Sequence, residues 1–213
     1  MSIDGEINCP ACGSSNTGIT ALTRSAECAQ CGQWIHFSNN IWSASGRFEH
    51  EIDAPGYLRV GRAGALNKRR FQVAGRVRLG YKRGHWDEWW LSFEDGAGNW
   101  IEEDDGSYLM HKEVPLMQSG LDHPGSMDTG SLQHTRVGQF IEAGGENWFV
   151  TEAGTATILG AEGQLPVTVT PGQQMRYLDA VTGGRELAIE LWPEGALASI
   201  STLLDATELS WSS

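Results

Sequence analysis

The sequence predicts a mostly-β protein: an N-terminal zinc ribbon followed by a duplicated small β-barrel or sandwich domain with two homologous halves. Three observations predict it. Two Cys-x-x-Cys pairs stand close together near the N-terminus. The rest of the chain breaks into short alternating apolar runs separated by glycine-rich turns, with 27 glycines in 213 residues. The chain also matches itself weakly, without a gap, at a shift of 77 residues.

Residues 1–42 form the ribbon. Cys9-Pro10-Ala11-Cys12-Gly13 and Cys28-Ala29-Gln30-Cys31-Gly32 are separated by fifteen residues. Each pair makes a tight knuckle whose two thiolates point at one ion, and the glycine after it permits the turn. Four thiolates close a tetrahedral zinc site, so Cys9, Cys12, Cys28 and Cys31 are the metal ligands, with one structural Zn2+ and no open position for a substrate. A redox role for the pairs lacks the βαβ pattern that accompanies it. Arg24 is the only basic residue before residue 43 apart from the histidine at 36. That favours a folding staple over a nucleic-acid reader. Trp34, Phe37 and Trp42 supply the ribbon's small core and its seam with the next domain.

Residues 43–56 read as a linker, from the small polar Ser43-Ala44-Ser45-Gly46 and the turn signal Asp53-Ala54-Pro55-Gly56. His36 and His50 flank it as surface histidines. Residues 57–213 form the duplicated β-domain, with halves at about 57–113 and 134–192. In the self-match, Arg59-Val60-Gly61 falls on Arg136-Val137-Gly138, Phe71 on Trp148, Val73 on Val150 and Trp100 on Tyr177.

Strands are expected at Arg70–Leu79, residues 86–94, Asn99–Glu102 and Tyr108–Met110 in the first half. In the second they are expected at Trp148–Thr151, Ala156–Leu159, Val167–Thr170 and Leu187–Leu191. Leu197–Leu204 is the one helix, followed by a last strand at Glu208–Trp211. Gly120–Gly130 is a loop. In the tryptophan-rich strand, Trp89, Leu91 and Phe93 alternate onto the core face. Trp86, Glu88 and Trp90 take the other face, which stays partly open because carboxylates are rarely buried unpaired.

The blocks Val73-x-Gly75-Arg76-Val77, Trp86-Asp87-Glu88-Trp89 and Trp100-Ile101-x-Glu103-Asp104 resemble the domain of unknown function 4178 family. Gly163-Gln164-Leu165-Pro166 and Pro171-Gly172 with Tyr177-x-Asp179 resemble its second half. The resemblance covers about 57–192 and implies no activity. It does imply a genomic setting beside polyamine-synthesis homologues and small membrane or membrane-stress proteins.

Charge is segregated. Residues 57–84 hold nine bases and no acid; residues 87–105 hold eight acids and no base. Cross-strand pairing explains most of this. The remainder is a docking surface built from Trp86, Glu88, Trp90, Arg76 and Arg78. Glu102-Glu103-Asp104-Asp105-Gly106 lacks the alternating oxygens of a calcium loop. No nucleophile elbow, phosphate loop, dinucleotide fingerprint or zinc-protease motif is present. The expectation is therefore a non-enzymatic adaptor that binds another protein through its β-domain, in a membrane-associated or stress-related system. The alternative is a binder of a small cationic molecule such as a polyamine, held by carboxylates and cation–π contacts. A net charge of −12 argues against nucleic acid. With no apolar run long enough to span a bilayer and no secretory signal at the start, a cytoplasmic location is expected, with membrane contact only through a partner.

Overall fold

The computed structural model describes residues 5–48, 52, 57–116, 129–193 and 195–211. The fold is mostly β, and its centre is a closed eight-stranded barrel. Two antiparallel four-stranded meanders build the ring. The first is β7 (Arg69–Tyr81), β8 (Gly84–Phe93), β9 (Gly98–Asp104) and β10 (Ser107–Glu113). The second is β12 (Glu146–Leu165), β13 (Gln174–Thr182), β14 (Arg185–Trp192) and β15 (Gly195–Leu203). β10 pairs with β15 on one side and β7 with β12 on the other, so the ring has no free edge.

Around it lie shorter strands. β1 (Gly5–Asn8) and β2 (Ser15–Ile19) form a hairpin, while β3 (Ser25–Glu27), β4 (Trp34–Ser38) and β5 (Ile41–Gly46) form the rest of the ribbon. β6 (Ala63–Leu66) flanks β7, and β16 (Leu209–Trp211) pairs with β6. β11 (Phe140–Ala143) pairs with β12, preceded by α1 (Thr129–His134).

Each meander has its own core on its outer face. Phe71, Val73, Trp89, Leu91, Phe93 and Ile101 pack under β6, β16 and Leu58. Trp148, Val150, Leu178, Leu187, Ile189 and Leu191 pack under β11 and Leu132 of α1. A third core joins the ribbon to the ring: Trp34, Ile35 and Cys28 meet Val77, Leu79, Ile158 and Leu165. The ribbon is also bonded to β12. Ala26 and Ser25 of β3 pair with Gln164 and Leu165, and the Ser25 hydroxyl donates to the Val167 carbonyl at 2.6 Å.

Bulges decide which face each side chain takes. The β7–β8 register shifts between Val73 and Gly75. Beyond that shift Arg76 and Arg78 stand opposite Trp89 and Asp87, on the outer face, while Val77 and Leu79 stand opposite Glu88 and Trp86. Gly163 has φ +72°, and a Cβ there would meet the Ala74 carbonyl oxygen at 2.3 Å. Only glycine allows β12 to turn away from β7 at this point and run on to β3.

Several expectations need correction. Ser43–Gly46 is not linker but the second part of β5. The turn at Asp53–Gly56, His50 and most of Gly120–Gly130 lie outside the described residues. Trp148–Thr151 and Ala156–Leu159 are parts of one 20-residue strand. β13 was not among the expected strands, and Val167–Thr170 lies outside any strand. Leu197–Leu204 is not a helix: residues 195–203 form β15, whose ladder partners on both sides override its helical spacing. The duplication is not shown. The ungapped match holds where Phe71 and Trp148 take the third positions of β7 and β12. It then fails, because Trp100 lies on β9 and Tyr177 on β13, which hold different places in their meanders. The extra length of β12 breaks the phase.

Trp89 is fully buried, with Arg76 stacked at 4.7 Å from its ring and its indole N–H donating to Glu103 at 2.9 Å. Trp90 is partly exposed and tilts against Trp100 at 5.1 Å. Trp89→Ala should cost about 3–5 kcal/mol, the range for deleting a large buried aromatic, and Trp90→Ala clearly less. Chemical denaturation of the two variants measures the difference; equal losses would overturn the face assignment.

Candidate functional site

Two constellations of chemical groups stand out. The first is the cysteine cluster. Both knuckles adopt the same turn, with Gly13 N donating to Cys9 O and Gly32 N to Cys28 O, each at 2.8 Å. The four Sγ atoms lie within 4.8 Å of one another. Cys9–Cys31 and Cys12–Cys28 are separated by 3.9 and 3.8 Å. A tetrahedron of sulfurs about 2.3 Å from a central ion has edges of about 3.8 Å, so the donor set fits one metal ion. Hydrogen bonds from Ser14 hold Cys12 down at about 6, whereas Cys31, against a backbone bond from Gln33, is pushed up to about 11 by burial and the neighbouring thiols, so the cluster without a cation does not favour four thiolates together.

Cys9 and Cys28 are buried in the same core as Val77, Leu79 and Leu165. Losing the metal should therefore loosen more than the ribbon. Cys28→Ser should lower metal content per chain and remove hydrogen-exchange protection from both β4 and residues 161–165 of β12. Protection lost from the ribbon alone would show that the two parts are independent.

The second constellation is the lumen of the ring. Side chains from strands that are not ladder neighbours touch here: Trp86 of β8 lies 5.6 Å from Tyr177 of β13, and Tyr81 of β7 lies 6.3 Å from Tyr177. These rings wall a cavity of about 100 Å³. Its acids are Glu88, Glu102 and Asp104 from the first meander and Glu152, Asp179 and Glu190 from the second. Among the described residues, no lysine or arginine lines it. Gly154 sits opposite Tyr177, and a Cβ there would lie 2.5 Å from its ring, so this glycine makes room for the aromatic wall.

Indole and phenol donors hold the carboxyl groups in place. Trp86 Nε1 donates to Glu88 Oε1 at 2.9 Å, Trp192 Nε1 to Glu190 Oε2 at 2.7 Å, and the Tyr177 hydroxyl to Glu152 at 2.9 Å. Burial first, and then the charge of Glu190, pushes Glu88 well above the usual carboxylate range. Burial and the charges of Glu102 and Glu152 push Asp179 up to about 7. Burial and Glu102 also raise Asp104. His111 bridges into the group, its Nε2 3.2 Å from Glu102 and its Nδ1 2.8 Å from the Ser199 hydroxyl.

The outer face of β7 and β8 carries the opposite arrangement. Arg76 and Arg78 both bond Asp87, at 2.7 and 2.9 Å. Burial opposes ionisation of Asp87, yet the hydrogen bonds from Arg78 and Arg76 hold it below the usual range. The expected single surface of Trp86, Glu88, Trp90, Arg76 and Arg78 is thus split. Trp86, Glu88 and Trp90 face the lumen side; Arg76, 1% exposed, and Arg78 serve a buried ion pair on the other. The bulge after Val73 separates them.

The DUF4178 profile, described as a domain of unknown function, matches residues 59–206. The chain belongs to the DUF4178 family. No curated protein and no solved structure matches it. The matched region of this DUF4178 protein contains both meanders and every residue lining the lumen, and the cysteine cluster precedes it. Sequence reasoning missed the second meander's contribution: Glu152, Tyr177, Asp179 and Glu190. One signal was available. Glu186, Ala188, Glu190 and Trp192 alternate against Leu187, Ile189 and Leu191, so Glu190-x-Trp192 mirrors Trp86-x-Glu88.

The raised acids tie stability to pH. Unfolded, Asp179 titrates near 3.8; folded, it titrates at about 7. Between those values the folded chain holds a proton that the unfolded chain has lost. This stabilising contribution is complete below 3.8 and gone above about 7. Asp179→Asn should accordingly raise stability at pH 8 by up to a few kcal/mol, on the order of the pKa difference. The gain should vanish towards pH 4. Thermal denaturation across that range measures it, and a variant less stable than the parent at pH 8 would contradict the burial of this charge.

Proposed function

We propose that this DUF4178 protein is a non-enzymatic binding protein for a small organic cation, an aliphatic diamine or polyamine, taken into the lumen of the barrel. One observation carries this: six carboxyl groups and three aromatic rings converge on one cavity that no lysine or arginine lines. Ammonium groups would satisfy the carboxylates, and the faces of Trp86, Tyr81 and Tyr177 suit the alkyl chain and cation–π contact. An eight-stranded barrel leaves room for one small ligand. Among the described residues only the four cysteines gather their ligand atoms tightly enough for a metal ion. The lumen acids are spread out, which favours an extended cation over a compact divalent one. The net charge of −12 draws cations towards the protein.

An adaptor role is supported by a different feature. Phe140 and Phe149 stack at 5.3 Å across β11 and β12, and Val181 stands opposite Phe149 on β13. All three are exposed and contiguous, the kind of apolar stripe that covers itself with a partner protein. Zinc is the ion we assign to the cysteines, since four thiolates at tetrahedral spacing suit it, and a reducing cytoplasm suits the thiols. No helix among the described residues is long and apolar enough to cross a membrane.

Thermal shift and calorimetry of the full chain with 1,4-diaminobutane, a linear triamine, magnesium and a dicarboxylate test the proposal. The amines alone should raise the melting temperature, and Glu102→Gln should weaken them at least tenfold, as expected when a charge-assisted partner of an ammonium is removed. Equal responses to magnesium and amines, or none to either, would reject it.

A further inference from the structure

The exposed apolar stripe of β11, β12 and β13 and the lumen lie on one continuous face, as alternation and register show. Along β13, Met175, Tyr177 and Asp179 line the cavity while Leu178 and Ala180 enter the outer core, so Val181 falls on the lumen side. Its ladder partner is Phe149, whose neighbours Trp148 and Val150 belong to the outer core. Phe149 pairs in turn with Phe140, next to the outer-core Ile141. The shift between Val150 and Glu152 is what keeps Phe149 on the same side as Glu152. The β13–β14 ladder runs without a shift and sets Glu186 opposite Val181 as Ala188 is opposite Asp179.

The stripe begins where the cavity opens. Glu152 and Asp179 are ladder partners and the last cavity-lining pair on β12 and β13 in that direction. Glu152 is exposed and accepts the Tyr177 hydroxyl at 2.9 Å. Val181 lies two residues beyond Asp179, about 7 Å along the strand, and the two strand spacings from Val181 to Phe140 add about 10 Å. Phe140 is 68% exposed, Phe149 39% and Val181 37%. The polar residues at the ladder positions beside them on this face are Glu142, Asn147 and Glu186, none of them basic. Arg185, near the end of the hairpin, pairs with Glu146 and lies over the Trp148 ring of the outer core. A stripe that only docks a protein could stand anywhere on the surface; this one forms the lip of an acid-lined cavity.

We infer that the ligand of the lumen is an amphiphilic amine, an ammonium head on a free alkyl chain, with the head among the carboxylates and the tail along Val181, Phe149 and Phe140. This rests on the cation-binding proposal and names the ligand class of that site. The acids at the lip select the sign of the head group. A fatty acid or a phospholipid phosphate would bring its charge against Glu152, Asp179 and Glu186, so the amine comes from solution and not from a bilayer. The aromatic faces of Phe140 and Phe149 give an alkyl chain a large contact area. Laying the tail there removes apolar surface of both partners from water, whereas a short diamine held in the lumen leaves the stripe uncovered.

Calorimetry of the full chain with butylamine, hexylamine and octylamine, each below its micellar concentration, reads the contribution of the tail, with 1,4-diaminobutane and octanoate for comparison. Affinity should rise with chain length by up to about fourfold per methylene, and octanoate should not bind. Phe140→Ser, at the most exposed position of the stripe, should lower the ratio of octylamine to butylamine affinity severalfold, and Val181→Asn should do the same. Equal affinities along the amine series, or a ratio unchanged in both variants, would overturn the tail site and leave the cation-binding proposal standing. Capture on phosphatidylethanolamine vesicles without binding of soluble octylamine would overturn the free amine as ligand. A dimer that Phe140→Ser dissociates and octylamine does not would give the stripe to a second copy and overturn the inference as well. No binding of any amine would remove both proposals.

Discussion

A single strand must satisfy four different neighbours, and the architecture follows from that constraint. β12 pairs with β11 at its start, with β13 along its first part, with β7 beyond, and with β3 at its end. It does so by two register shifts, one after Val150 and one after Ile158, and by turning at Gly163. The first shift falls within the ladder to β13 and the second within the ladder to β7, and each bends the strand. The transfer near Thr157, which pairs with both Gln174 and Gly80, closes the ring. The last transfer, at Gln164, ties the ribbon to it. Backbone hydrogen bonding thus couples the cysteine cluster, the barrel and both outer cores through one stretch of chain.

Closing the ring gives the sheet an inside and an outside, and the two faces are used in opposite ways. The outer face is apolar, and its charges are matched: Arg76 and Arg78 with Asp87 there, Arg69 with Asp95 nearer the edge. The inner face gathers unmatched acid. Burying carboxyl groups this way is unfavourable unless protons or cations accompany them, and donors from indole and phenol groups moderate the cost without removing it. A fold with stability as its only constraint would fill a small barrel with aliphatic side chains. Here two of the three aliphatic cores lie outside the ring, under β6, β11, β16 and α1, while Val77, Leu79 and Ile158 face inward and join the ribbon's core, and the acids share the inside with them. The locally unfavourable arrangement therefore coincides with a cavity wall that combines several acids and several rings, as is usual for sites where function competes with stability.

The sequence by itself determined a good deal. The cysteine spacing fixes a four-sulfur cluster, because a knuckle is a local turn and its geometry depends on about five residues. Period-two alternation marks β7, β8, β9 and β14, and it places Trp89, Leu91 and Phe93 together in a core, because side chains in a strand alternate whatever the strand pairs with. The Trp-Asp-Glu-Trp block carries the family resemblance. Charge segregation between 57–84 and 87–105 also foretells the Arg–Asp pairing of β7 with β8.

Tertiary structure alone decided the rest. A bulge moves by one residue which side chains share a face, so the separation of Arg76 and Arg78 from Glu88 depends on a register that local sequence does not encode. The strand at 195–203 looks helical in isolation and is held extended by neighbours on both sides. Asp179 and Glu190 are far from Glu88 along the chain, and although Glu190-x-Trp192 mirrors Trp86-x-Glu88, the mirrored pattern does not say that the two strands face each other. Their encounter depends on the closure of the ring, which is a property of pairings between strands distant in sequence. Acids that look like a solvated face in sequence become a confined site only because the sheet curls until that face meets itself.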